Sequence, residues 1–339
     1  MTVTAPGKAR LHFAVVGAGV AGLACARQLV AGGMRATVFE AGAAVGGRLA
    51  SVLWEGASYD VGAQFLMARS AKFALQLEQW EAGGVVQRWN PDLVEFDRGL
   101  GNAVHSDTPC YVGVPSMQSI AVHLAQGSDV VFNAPVGRVV QGSAEWYLFD
   151  AQERPLGIAG FDGLVLALPS VVARGLLGGV PELAALLEPV RWDACWTAGV
   201  SLSRPSGIEF DVAFIRDDPI LAWAARECSK PRRRKGPESA ERWLLQARPT
   251  WSNNFGHLAP DDAARWMQRA FAARLARPMA QKSTMAMRWA HATPAAPLSQ
   301  SFLWDSVRKL GLAGDWCGGA SVEAAFLSGC GVAGAIAAD

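Results

Sequence analysis

The chain lacks the marks of several protein classes. Its six cysteines (Cys25, Cys110, Cys195, Cys228, Cys317 and Cys330) form no C-x-x-C pair. That speaks against a structural zinc site and a disulfide framework, and leaves reduced thiols. The five histidines, His12, His105, His123, His257 and His291, show neither triad nor metal-ligand spacing, so no metal is expected. Formal net charge is only +1, so nothing pulls the chain as a whole toward nucleic acid or a charged membrane. No apolar run is long enough to span a bilayer. No apolar segment with a small-residue cleavage site follows the polar, basic first ten residues. The expectation is a cytoplasmic protein with neither a nucleic-acid nor a membrane partner. Charged residues are scarce at 18% against 51% hydrophobic, a balance that favours a large buried core over disorder. A chain of 339 residues carries a prior of about two domains. One charge run stands out, Lys230-Pro231-Arg232-Arg233-Arg234-Lys235. The neutral total and the prolines at 231 and 237 favour a solvated loop there over a phosphate or nucleic-acid patch.

What is present is a glycine pattern. Residues 15–26 read VVGAGVAGLACA, with Gly17, Gly19 and Gly22 in G-x-G-x-x-G spacing. A strand-like run, Leu11–Val16, precedes it, and a helix-like run, Val20–Ala31, ends at Gly32-Gly33. In this context Gly17 permits the tight turn, Gly19 lets backbone approach a pyrophosphate, and Gly22 lets helix pack on strand. The phosphates would sit on the helix N-terminus. Arg35–Glu40 reads as a second strand, and Glu40 falls about 20 residues on, where a ribose-binding acid belongs. This βαβ unit alone leaves NAD(P) and FAD both open.

Further along, Lys72–Glu81 has helical spacing, and Asp129–Arg138, Trp146–Asp150 and Phe161–Leu168 read as strands. From Ser170 to about Ala290 short apolar segments alternate with loops, and tryptophan recurs at 192, 196, 223, 243, 251, 266 and 289. Asp261–Leu275 reads as an amphipathic helix after Pro260. Leu310–Ala338 returns to a strand, a Gly-rich turn and a small-residue helix. The expected architecture is α/β: a discontinuous dinucleotide domain (1–70, 126–170 and 295–339) with an inserted α+β substrate domain (71–125 and 171–294).

Three more motifs bear on the choice of dinucleotide. Gly46-Gly47-Arg48 offers low backbone and a forked donor for phosphate oxygens; an ordinary loop is the alternative. Tyr59–Phe65, YDVGAQF, carries Gly62 and Gln64, whose amide suits a flavin edge or a substrate; the alternative is a tight turn with a satisfied side chain. Gly314-Asp315, followed by Ser321-Val322-Glu323, reads as a strand end, a loop and a helix start, and suits ribityl hydroxyls and the N1–C2=O end of a reduced flavin.

Together these motifs resemble the flavin amine oxidase superfamily, and within it the bacterial renalase-like FAD-dependent oxidoreductases. The segments that carry the likeness are Asp60–Arg69, Leu221–Pro231, Trp243–Ser252, Met287–Trp289 and Gly314–Gly329. The resemblance implies a Rossmann-like FAD-binding domain with an inserted substrate domain, the p-hydroxybenzoate-hydroxylase-like architecture. It implies non-covalent FAD held by Gly17, Gly19, Gly22, Glu40, Gly47, Arg48, Gln64, Val136, Gly314, Asp315 and Val322. Trp223, Arg226, Gln246 and Trp289 would lie on the substrate side, and Gln64 and His291 are the candidate catalytic residues. Two departures bear on the substrate: Ala290-His291-Ala292-Thr293 replaces an aromatic-rich segment, and Gln246 stands where close relatives commonly carry histidine.

The implied activity is oxidation of non-standard dihydro-NAD(P) isomers with O2 as acceptor. A dihydropyridine is already a hydride donor and needs no general base, which suits a chain with no evident one. Oxidation of an amine or polyene-like substrate is a second reading. A non-catalytic FAD-binding protein is a third.

Overall fold

The structure, a computed structural model, describes residues 10–233, 241–275 and 279–339. Contacts divide the chain into two units. The first comprises residues up to Gly47, Leu124–Val190 and Pro297–Asp339; the second comprises Arg48–His123 and Arg191–Ala296.

The first unit is built on a six-stranded sheet in the order β18-β19-β12-β1-β2-β9. Its strands are β1 (His12–Val16), β2 (Arg35–Phe39), β9 (Asp129–Val131), β12 (Gly163–Leu166), β18 (Leu303–Asp305) and β19 (Leu310–Leu312). All pairings are parallel except β18 with β19. Strands covered on both faces read as continuous apolar runs, and Phe13–Val16 and Gly163–Leu166 are buried throughout. Helix α1 (Val20–Ala31) crosses from β1 to β2, and α8 (Val322–Ala338) packs against α1. The small residues of α8 make that contact tight: Gly329 stands where a side chain would strike the Ala21 carbonyl. The unit also holds the hairpin of β10 (Arg138–Gln141) and β11 (Trp146–Phe149), with α4 (Ser170–Leu176) and α5 (Pro181–Leu186). The Ser321 hydroxyl accepts a hydrogen bond from Ala324 N at 3.1 Å and caps α8. Ser321→Ala is expected to lose about 1 kcal/mol, read as a lower urea midpoint at unchanged slope.

The second unit holds a seven-stranded sheet in the order β17-β13-β16-β15-β14-β6-β7. These are β6 (Leu93–Asp97), β7 (Leu100–Val104), β13 (Arg191–Leu202), β14 (Val212–Ile215), β15 (Leu221–Arg226), β16 (Arg242–Ala247) and β17 (Gln281–Ala296). Only β14 with β6 pairs parallel. One face packs Trp196, Ala198, Val200, Trp243 and Leu245 against Trp251 of α6 (Pro249–Asn254) and Met267 and Phe271 of α7 (Pro260–Arg274). On the other face Leu244, Met285, Met287 and Trp289 meet Ala57, Tyr59 and Val61 of the hairpin β3 (Ser51–Trp54) and β4 (Ala57–Asp60) and the turn after it. The hairpin of β5 (Val86–Arg88) and β8 (Tyr111–Gly113) and helix α2 (Ala71–Ala82) complete the unit. Helix α3 (Gln118–Ala125) contains the division between the two units.

The observed division differs from the expected boundaries in two places. Residues 48–70 belong to the second unit because the β3–β4 hairpin buries Tyr59 and Val61 on its sheet. Residues 171–190, with α4 and α5, stay with the first. Asp129–Arg138 is also not one strand: β9 ends at Val131 and β10 begins at Arg138. No helix among the described residues is long and apolar enough to cross a membrane.

Candidate functional site

In the first unit the glycine turn sits where strand geometry puts it. β1, β2, β9, β12 and β19 run parallel, so the residues following them share one edge of the sheet. In open α/β sheets that carboxyl edge is where ligands bind. Gly17 follows β1, Glu40 follows β2, the segment containing Val136 follows β9, and Gly314-Asp315 follows β19. Gly17 has φ +102°, a conformation open to glycine, and its N–H donates to Phe39 O at 2.8 Å. Gly22 is required by packing, since a Cβ there would lie 2.0 Å from Gly17 O. Gly19 differs: a Cβ would meet nothing within 4 Å, and its backbone is ordinary and extended. Its glycine therefore answers to no protein neighbour. The Glu40 carboxylate accepts from Ala18 N at 2.9 Å and Gly42 N at 2.8 Å, tying the end of β2 to the turn. Gly46 N donates to Ala18 O, and Asn133 N and Ala134 N donate to Gly42 O and Glu40 O. Val136, half-buried, lies two residues beyond. Asp315 is buried, and the loop it starts leads to the capped N-terminus of α8 at Val322.

In the second unit the D-V-G-A-Q stretch forms a turn after β4 held from several sides. Gly62 is pressed on the Arg48 backbone, where a Cβ would lie 1.9 Å from Arg48 O, and Ala63 N donates to that oxygen at 2.9 Å. Trp289 Nε1 donates to Val61 O at 2.8 Å, and Gln246 Nε2 to Gly62 O at 2.9 Å. Gln64 is 5% exposed. Its Nε2 donates to Asp60 O at 2.5 Å and Gly62 O at 2.9 Å, and its Oε1 accepts from Lys230 Nζ at 3.1 Å. Gln64 is thus the brace of the turn and not an amide offered to a ligand or reactant, because both donors and its carbonyl are already engaged.

Beneath the turn lies a buried charge cluster that corrects the reading of the basic run. Lys230 and Arg233 are 2% and 6% exposed, not solvated. Lys230 Nζ donates to Asp60 Oδ2 at 3.1 Å and Glu227 Oε1 at 2.5 Å besides Gln64. The Arg233 guanidinium donates to Asp60, to Gly113 O at 2.7 Å and to Pro115 O at 2.9 Å. The physical reason is pairing: two cations meet two buried carboxylates that would otherwise be uncompensated. Burial would push the Asp60 carboxyl up. The charges of Lys230 and Arg233, with the Met117 N–H and Ser51 hydroxyl, outweigh it and hold Asp60 below its ordinary value. Arg234 and Lys235 lie outside the described residues.

Strand register assembles a row that spacing along the chain could not reveal. Phe214 pairs with Trp223, Trp223 with Gln246, Gln246 with Thr197, and Thr197 with Met287. Residues paired across strands share a face, so these five side chains line the sheet face that also carries Trp289. Beyond Phe214 the row runs on to Glu95, tied to Arg216 at 3.0 Å, and to Asn102. Phe65 lies over Trp223, ring centroids 5.5 Å apart, and Phe214 meets the indole edge-on at 4.9 Å. Arg226 does not join this row. Its position in β15 alternates to the opposite face, where it donates to Phe210 O at 2.7 Å and lies 5.2 Å from the Trp243 ring centre. His291 packs against Trp192 at 5.8 Å. Burial, with the charges of Arg48 and Arg288, pulls its pKa down, so the imidazole is neutral at neutral pH. Arg48 lies 5.0 Å from the Trp192 ring centre and donates to Ala292 O at 3.2 Å.

A parallel sheet with a glycine turn at its carboxyl edge defines a nucleotide-binding class. Accordingly, residues 15–76 match the NAD(P)-binding Rossmann-like domain family. Among particular proteins, protoporphyrinogen oxidase 2, chloroplastic/mitochondrial, of Arabidopsis thaliana is 56% identical over 52 residues. That match covers 15% of this chain and 10% of that protein, about a tenth of the relative's length. Solved structures align along nearly the whole chain. A protein of Exiguobacterium sp. 255-15 described as a candidate protoporphyrinogen oxidase superposes with TM-score 0.79 at 14% identity, covering 98% of this chain and 100% of that one. Cyclohexylamine oxidase from Brevibacterium oxydans IH-35A gives 0.72 at 14%, covering 97% and 99%. Putrescine oxidase bound to putrescine gives 0.72 at 13%, covering 97% and 99%. At such identities the likeness establishes the fold: a mixed α/β chain with a Rossmann-like domain, of the type these oxidase structures share.

Proposed function

We propose that the protein is an FAD-dependent oxidase whose substrate gives up a hydride without help from a protein base, with dihydro-NAD(P) isomers as the preferred candidates. The observation that carries the reading is the composition of the sheet-face row. Phe214, Trp223, Gln246, Thr197 and Met287 supply rings, an amide, a hydroxyl and a thioether, and the carboxylate farther along the row, Glu95, is paired with Arg216 at 3.0 Å.

The cofactor part of the proposal rests on the fit of the first unit. Gly19 has space no protein atom uses, and the N–H groups of the first turn of α1 are suited to an anion. Gly17, Gly19 and Gly22 would hold a pyrophosphate, with Gly47 beside Gly19, and Glu40 a ribose. Gly314, Asp315 and Val322 at the same sheet edge, and Val136 near it, suit the remainder; Arg48, the cation of the G-G-R motif, belongs to the second unit. The protein's share of the work is to bind, orient and keep water from the reacting ring. FAD, when bound, would supply the hydride acceptor and would return the electron pair to O2 together with two protons, one from the hydride and one from water, giving H2O2. The second reading, an amine substrate, is favoured by the fold shared with cyclohexylamine and putrescine oxidases.

The test is anaerobic mixing of the flavin-loaded protein with base-isomerised NADH or NADPH, with 4-dihydro-NADH as control and an amine panel beside it. Bleaching of the long-wavelength flavin band by the isomer mixture alone, reversed by air with H2O2 release, is the expected result. Bleaching by amines alone selects the second reading. A protein that takes up no FAD removes both.

A further inference from the structure

The turn and the row together fix two hydrogen-bonding groups with no partner among the described residues. Lys230 Nζ can only donate, so Gln64 turns its Oε1 to it and its Nε2 to Asp60 O and Gly62 O. The Gly62 carbonyl, held in this way, accepts from Gln246 Nε2 at 2.9 Å. Gln246 is thereby oriented: its amide nitrogen faces the turn, and no group among the described residues donates to its Oε1. Its register partner Trp223 carries the complementary feature. The indole is 8% exposed, and its Nε1 finds no acceptor. A buried donor without a partner is costly, because it has lost its water and gained nothing in exchange. Phe65 and Phe214 flank that indole.

We propose that Gln246 and Trp223 recognise a primary carboxamide on a flat, uncharged ring. Gln246 Oε1 accepts the amide N–H, and the unpartnered Trp223 Nε1 donates to the amide carbonyl. A carboxamide is the small group that presents a donor and an acceptor side by side. The aromatic row takes the ring it is attached to. Gln246 is a specificity residue, and Lys230 acts through Gln64 and Gly62 as a positioning residue. The inference rests on the proposed function for its meaning as substrate recognition, and it names the part of the dihydro-NAD(P) isomers that this site reads.

The experiment compares nicotinamide with 3-acetylpyridine, which keeps the ring and carbonyl but replaces NH2 by methyl. Binding to the flavin-loaded protein is followed by saturation-transfer NMR, and anaerobic bleaching by isomerised NADH is recorded in parallel. Wild type is expected to prefer nicotinamide by about tenfold, the equivalent of one hydrogen bond. Gln246→Leu is expected to erase the preference while leaving 3-acetylpyridine binding unchanged; a merely structural role would weaken both ligands alike. Trp223→Phe is expected to weaken both. Gln246→Met replaces Gln246→Leu if the latter melts early. Equal binding of the two ligands by wild type, no binding of either, or a preference that survives loss of the Gln246 amide overturns the inference. Preference without bleaching leaves the inference standing and removes the dihydro-NAD(P) reading; bleaching without preference does the reverse.

Discussion

Asp60→Ala is expected to destabilise the fold by about 3–5 kcal/mol, the range for breaking a buried ion pair from one side. The expectation follows from how much converges on that carboxylate. Its Oδ2 meets Lys230 and Arg233, and its Oδ1 accepts from Ser51 Oγ at 2.7 Å and Met117 N at 2.9 Å. Without it, two buried cations face Glu227 alone, and a hydroxyl and a backbone N–H lose their acceptor. The loss should appear as a lower urea midpoint at unchanged slope. Arg138→Ala, which breaks an ion pair with Glu153 in solvent, should leave the midpoint where it is. A loss below about 1 kcal/mol for Asp60→Ala would mean the cluster is not held by its own charges. The pH dependence has a definite sign. Asp60 titrates lower in the folded protein than its ordinary 3.8, so the unfolded chain binds the extra proton in acid. The contribution is present above 3.8 and is lost as pH falls from there through the lower folded-state value; Asp60→Ala should remove this part of the acid sensitivity.

The parts of the fold that could be read from residues alone are those in which neighbours in sequence make the structure. The βαβ unit is such a case: an apolar strand, three glycines and a helix closed by Gly32 are local signals, and α1 falls on Val20–Ala31 as expected. Helix α7, with Pro260 at its start, is another. The long strands β13 and β17 were not legible. β13 meets apolar partners on both faces, so its alternation is blurred, whereas β17 brings only Met285, Ala286, Met287 and Trp289 to the apolar clusters, and Gly199 and Pro294 weaken the local strand signal. At the candidate site, Gln64 and the basic run illustrate the limit. A loop glutamine and a lysine far along the chain each have a plain local reading, and only the fold brings Lys230 to Asp60 and Gln64. Arg226 fails for a related reason. It lies three residues from Trp223, and strand alternation sends the two to opposite faces. Trp223 and Gln246 share a face because β15 and β16 pair in that register, a fact of tertiary structure.

Substituting two glycines of one motif should separate binding from folding. Gly19→Ala is expected to leave the unfolding of the cofactor-free protein unchanged. The backbone at Gly19 is extended with φ −77°, which alanine adopts freely, and its Cβ would meet no protein atom within 4 Å. The same Cβ would enter the space proposed for the pyrophosphate. A methyl group forced into a packed contact costs roughly 1–3 kcal/mol, so FAD affinity should fall by about 100-fold at the upper part of that range. Gly22→Ala should behave in the opposite way. There a Cβ would lie 2.0 Å from Gly17 O and 3.1 Å from the Ala167 Cβ, so α1 and β1 must move apart. The cofactor-free protein should lose stability by a comparable roughly 1–3 kcal/mol. FAD titration by flavin fluorescence quenching, with urea unfolding of the same apoprotein samples, reads both quantities. If Gly19→Ala binds FAD as wild type does, no phosphate lies against Gly19, and the cofactor assignment loses its main structural support. If Gly19→Ala instead destabilises the empty protein, its glycine serves the fold, and the open space beside it needs another explanation.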